Sequence, residues 1–116
     1  LRLSSQLPED ATLEDAIAFY LSYWKEERGL FDIIVRNDML SLLMDQCIYF
    51  LREEDQIILP FLNTPQLKSD DYILAGFVSI QITLLLQWYL QNFSTPLEEM
   101  VLNYQRLVYQ PLISRN

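Results

Sequence analysis

Histidine is missing from all 116 residues, and with it go the Ser-His-Asp triad, the imidazole-ligated metal and the imidazole pH switch. Cys47 is the one cysteine, so the chain builds neither an internal disulfide nor a cysteine-rich zinc site. Glycine occurs twice, at Gly29 and Gly76, too rarely for the tight turns of a sheet-rich fold. Positive charge is scarce too: 8 Lys and Arg stand against 16 Asp and Glu, a net charge of −8. A chain of that sign does not grip phosphates by itself, because nucleic-acid affinity runs on clustered cations. The first fifteen residues, LRLSSQLPEDATLED, hold no secretory-type apolar run. They also start without methionine and in mid-pattern, which reads as a piece of a longer protein.

What the chain has is apolar surface. Hydrophobic residues make up 51% and charged residues 21%, enough for a packed core and too apolar for wholesale disorder. The length fits one domain over 1–116. Composition favours a cytoplasmic, non-catalytic helical module with no metal and no cofactor.

Five helices are expected, which makes the fold class all-α, an antiparallel helical bundle. Thr12, with Asp15 three residues on, is set to cap a first helix whose apolar face carries Leu13, Ala16, Ile17, Tyr20, Tyr23 and Trp24. Gly29 reads as its stop signal. The β-branched run Ile33–Val35 would suit a strand, but no partner strand is near, and a short helix ending at Asn37 is preferred. Asp38 is expected to cap a third helix with Leu40, Leu43, Met44, Cys47, Phe50 and Leu51 on one face. Pro60 and Pro65 mark a loop over 59–69. Asp70 or Ser69 then caps a long apolar helix to about Asn92. The last helix is punctuated by Thr95 as cap, Pro96 at its first position and Glu98 closing a capping box, with Pro111 as its stop.

The long fourth helix is the physical centre. Leu74, Val78, Ile82, Leu85 and Tyr89 cover one side; Phe77, Ile80, Leu84 and Trp88 cover another; Ala75, Leu86 and Leu90 fall elsewhere. A helix apolar all round must be buried all round, and a domain this small struggles to enclose one alone. The uncharged stretch Ile73–Leu90 would cover about 27 Å, close to a hydrocarbon core. Ser79, Gln81, Thr83 and Gln87 within it, and acidic flanks, favour a buried helix of a soluble fold over a membrane span. The small or polar stripe of Gly76, Thr83, Gln87 and Gln91 suits packing against a second copy. The last helix, with Met100, Val101, Tyr104 and Val108 on one stripe and apolar residues left over elsewhere, completes a four-helix interface across a two-fold axis.

The stretch DDYILAGFVSIQITLLLQWYLQNFSTPLEEMVLNY resembles the C-terminal helix pair of TetR-type transcriptional regulators. The pattern is a tyrosine-containing entry, the small Gly76, an apolar run, Trp88 followed by Leu90, a polar break, and a helix start at Ser94, Thr95, Pro96, Leu97, Glu98 and Glu99. LFDIIVRND and the helix and Pro-containing loop after it are similar to that family's middle region, so the likeness covers about residues 10–110. It implies an effector-sensing and homodimerisation domain whose DNA-reading helix-turn-helix, about fifty residues, precedes Leu1 and is absent from this sequence.

Chemistry is thin by comparison. Glu26-Glu27, Glu53-Glu54-Asp55, Asp70-Asp71 and Glu98-Glu99 are sequence neighbours, which diverge by about 100° on a helix and do not converge on a substrate. Cys47 has no histidine to activate it. No catalytic residue and no metal ligand is therefore assigned. A ligand pocket is the better candidate, mostly apolar with few polar anchors: Tyr23, Phe50, Phe77, Gln81, Leu84 and Trp88. By the resemblance, a small apolar or neutral effector among these helices shifts the balance between two arrangements of the dimer. Two other readings remain open at this level: a helical protein-interaction adaptor without a small-molecule ligand, and a single-pass membrane protein built on Ile73–Leu90.

Overall fold

Thr12 opens helix α1 (Leu13–Glu26) with a complete capping box. Its hydroxyl accepts the Asp15 N–H at 3.1 Å, and the Asp15 carboxylate accepts the Thr12 N–H at 3.0 Å. Two amides that the first turn leaves unpaired are thereby satisfied. The computed structural model describes residues 10–53 and 70–113, so the loop expected over 59–69 lies outside the described residues.

Helix α2 (Arg28–Arg36) follows a one-residue break at Glu27, whose N–H returns to the Tyr23 carbonyl at 2.9 Å. Gly29 is therefore not the stop: it lies inside α2, with no positive φ. Burial of Phe31 and Ile34 draws the chain straight back into helix, and the β-branched Ile33–Val35 run goes with it. Asp38 also departs from its expected role. It sits at φ 56°, where an Asp is tolerated, and ends α2 in a left-handed turn while the Met39 N–H reaches the Ile34 carbonyl at 2.9 Å. Helix α3 (Leu40–Glu53) starts two residues later and buries no residue fully. It lies against α4, with Leu43, Met44, Cys47 and Leu51 half-buried on the core.

Asp70 caps helix α4 (Asp71–Leu90), its carboxylate accepting the N–H groups of Tyr72 at 2.9 Å and Ile73 at 3.2 Å. Asp70→Ala is expected to lower stability by about 1 kcal/mol, read as a lower urea midpoint at unchanged slope. The chain leaves α4 through two successive left-handed residues, Asn92 at φ 56° and Phe93 at φ 57°. A bulky side chain there is strained, and packing holds it: the buried Phe93 ring meets Trp88 edge-on at 5.0 Å, and its N–H reaches the Trp88 carbonyl at 2.8 Å.

The C-terminal helix runs head to tail through α5 (Leu97–Tyr104), a π-helical segment (Gln105–Tyr109) and a last turn, α6 (Gln110–Ile113). Pro96, not Thr95, flanks its start, and no side-chain capping bond is made, so the Thr95–Glu98 capping box does not form. The reason is local: the Thr95 carbonyl is held by the Trp88 indole N–H at 2.9 Å, and its hydroxyl lies 3.4 Å from Gln91 Oε1. Nor does Pro111 stop the helix, since it lies within α6. The Gln110 N–H reaches back five residues to the Gln105 carbonyl, and that wider turn makes room for the proline ring just after it.

The result is an all-α bundle, with no strand among the described residues. α1 lies along α5 and α3 along α4. Ile17, Leu21 and Trp24 of α1, Phe31 of α2, six residues of α4, and Met100, Tyr104, Val108 and Tyr109 of the C-terminal helix share one core.

Candidate functional site

Inside that core sits a small polar cluster carried by apolar-face positions. α1 presents Tyr20 and Trp24 four residues apart, on the same side. The C-terminal helix, packed along α1, brings Tyr104, its ring centroid 6.3 Å from that of Tyr20, and Tyr109, edge-on to Phe77 at 5.6 Å. Tyr104 is fully enclosed and donates to the Gln81 backbone carbonyl at 2.7 Å. Part of Tyr20 reaches the surface, but its hydroxyl lies in the interior near Cys47 and Tyr109.

Burial sets the chemistry here. Desolvation pushes the Tyr20 phenol far above its ordinary range, and the neighbouring Tyr109 and Cys47 push it the same way. The Trp24 indole N–H favours the ionised form but makes no hydrogen bond of sound geometry, and is left buried and unpaired. Tyr104 and Tyr109 are raised chiefly by burial, and burial raises the Cys47 thiol as well. At neutral pH all four groups are thus uncharged. Uncharged and desolvated, these groups are weak nucleophiles as they stand. Among the described residues no group of three or more His, Cys, Asp or Glu converges as a metal site.

A second polar link ties α2 to α4. The Tyr89 hydroxyl donates to Asp32 Oδ1, and Arg36 Nε lies 2.9 Å from Asp32 Oδ2. The Asp32 carboxylate, before all else, raises the Tyr89 phenol above its usual value. On the outside of the C-terminal helix, Glu99, Leu102, Asn103, Gln105, Arg106 and Gln110 line a groove of about 460 Å³.

The pocket candidates differ in burial and surroundings. Phe77 and Trp88 are both core residues, and eleven positions on one helix separate them by about 16 Å. Trp88 is closed in by Phe93, Thr95 and the Lys25 ammonium, 5.9 Å from its ring. Tyr23 packs edge-on against Trp24 at 5.4 Å; Gln81 and Leu84 are half-buried; Phe50 is 40% exposed on α3. The interface candidates divide. Thr83 and Gln87 are exposed and Gly76 half-exposed on α4, whereas Met100, Tyr104 and Val108 are buried inside the chain's own core and Val101 is half-buried. Helical periodicity identifies the apolar stripe of the last helix, but it does not tell an own-chain neighbour (here α1) from a second copy.

The phenol cluster had a partial signal: Tyr20 and Tyr104 sit on apolar stripes, whereas Tyr109 falls off the last helix's stripe and is buried within the π-helical segment. The Asp32–Tyr89 link had none, its partners being 57 residues apart. Comparison with protein families, curated proteins and solved structures finds no match to this chain.

Proposed function

We propose that the chain is the effector-sensing and homodimerisation part of a TetR-like, cytoplasmic transcriptional regulator, its DNA contact made by a helix-turn-helix outside this sequence. The observation that carries the reading is the uncovered face of α4. Tyr72, Ile80 and Leu90 are 90%, 43% and 64% exposed. Together with Gly76, Thr83 and Gln87 they fall within an arc of about 80° on the helix wheel. The opposite side of α4 is filled by Leu74, Phe77, Val78, Ile82, Leu85 and Trp88.

Gly76 supports the same reading. A glycine inside a helix costs about 1 kcal/mol relative to alanine. Nothing among the described residues requires it, since a Cβ there would meet no atom within 4 Å. A second helix approaching this face closely would. The effector half of the proposal rests on the resemblance alone.

Sedimentation equilibrium of the 116-residue chain tests the reading. A dimer is expected in the micromolar range, and Ile80→Asp is expected to weaken it by about 100-fold by placing a charge in a desolvated contact. A monomer at every concentration, or a chain soluble only in detergent, would overturn it, because α4 also has the length and hydropathy of a membrane span.

A further inference from the structure

We propose that the groove on the outer face of the C-terminal helix is a self-complementary contact. There Glu99 of each copy pairs with Arg106 of the other across a two-fold axis at Leu102–Asn103. This rests on the dimer reading above and fixes which surface of the C-terminal helix takes part and in which orientation.

The argument starts from charge. Among the described residues, Arg36 and Arg52 face the carboxylates of Asp32 and Asp71 at 2.9 and 3.0 Å, while Lys25 and Arg28 lie over the rings of Trp88 and Phe93. Arg106 alone of these cations meets neither; its guanidinium donates to the neutral Asn103 Oδ1 at 3.1 Å. Glu99 stands on the same groove. The two are seven residues apart, about 10 Å along the axis, too far to pair with each other.

An antiparallel copy resolves both ends at once. Reflecting positions about the point between 102 and 103 sends 99 to 106 and 106 to 99, so one two-fold contact makes two ion pairs. A parallel copy would set Glu99 on Glu99 and Arg106 on Arg106. An acidic or basic peptide would answer one end and oppose the other. Leu102, 63% exposed at the centre, meets its own twin, which removes apolar surface from water at the crossing. Asn103, by holding Arg106, aims it along this face.

The test is sedimentation equilibrium on the full chain, on Glu99→Arg, on Arg106→Glu and on the double exchange. Each single change creates two like-charge contacts per dimer and is expected to raise Kd about tenfold, while the double exchange returns it to within about threefold of the parent. Both side chains are exposed, so circular dichroism should show unchanged helix content. Leu102→Cys, in a chain carrying Cys47→Ala, should form a covalent dimer under mild oxidation. Equal dissociation constants for all four chains, or losses that add in the double exchange, would overturn this orientation and leave a dimer through α4 intact. A parent chain that never dimerises would overturn both.

Discussion

Trp88→Ala is expected to remove about 3–5 kcal/mol of folding stability, a large part of what a domain of this size has. The residue is 1% exposed and joins three parts of the chain at once. Its ring packs against Phe93 at the turn after α4, its indole N–H holds the Thr95 carbonyl at 2.9 Å, and Lys25 of α1 lies over its face. Truncation therefore opens a cavity, leaves a part-buried carbonyl without its donor, and withdraws the packing that keeps Phe93 in a left-handed conformation. In urea the midpoint should fall by about 2 M at an unchanged slope. Trp88→Phe separates the contributions: it keeps an aromatic ring in the core and loses the indole donor, so a smaller loss of about 1–2 kcal/mol is expected. A fall of less than about 1 kcal/mol for the alanine variant would mean that the α4–α5 turn is held from elsewhere.

The fold class and the places of the helices were legible because they rest on periodicity and on caps, both local signals. Thr12 with Asp15, and Asp70 before Asp71, do what their spacing says. The failures share a cause. Gly29, Asp38, Thr95 and Pro111 were read from local propensity, and at each a neighbour's packing or hydrogen bond decided otherwise. Burial of Phe31 and Ile34 restarts the helix past Gly29, Trp88 holds Thr95, and a π turn accommodates Pro111. The apolar character of α4 on every side was legible as well, but which side its own chain covers was not. Six residues face inward and Tyr72, Ile80 and Leu90 outward, a choice made by α1, α3 and the C-terminal helix together. Placement along the helix was not legible either: helical stripes fix direction around an axis but not position along it, so Phe77 and Trp88 share a helix and an inward side yet lie about 16 Å apart.

Alkaline pH should unfold this chain sharply, and the interior tyrosines are the cause. Tyr20, Tyr104 and Tyr109 are all held protonated well above the ordinary phenol range, mainly by burial. A group whose folded pKa is raised contributes stability that is complete below its unfolded pKa and is lost as pH rises beyond it. Above about pH 10 the unfolded chain releases these three protons while the native chain keeps them, so each phenol lowers stability by about 1.4 kcal/mol per pH unit. Three together give about 4 kcal/mol per unit, and the raised Cys47 thiol and Tyr89 phenol act in the same direction, enough to exhaust an ordinary domain's stability within roughly two units. Helix content followed by circular dichroism should therefore collapse over a narrow interval above pH 10, with phenolate absorbance from the buried rings rising at the same midpoint. Tyr109→Phe removes one of these protons and should flatten the pH slope by about 1.4 kcal/mol per unit. Tyr104→Phe should flatten it equally, but from a lower starting stability, because the bond to the Gln81 carbonyl is lost as well. Smooth ionisation of all the tyrosines with helix content unchanged would show that solvent reaches the cluster in the folded state. The space around Tyr20 would then be an open site rather than packed core.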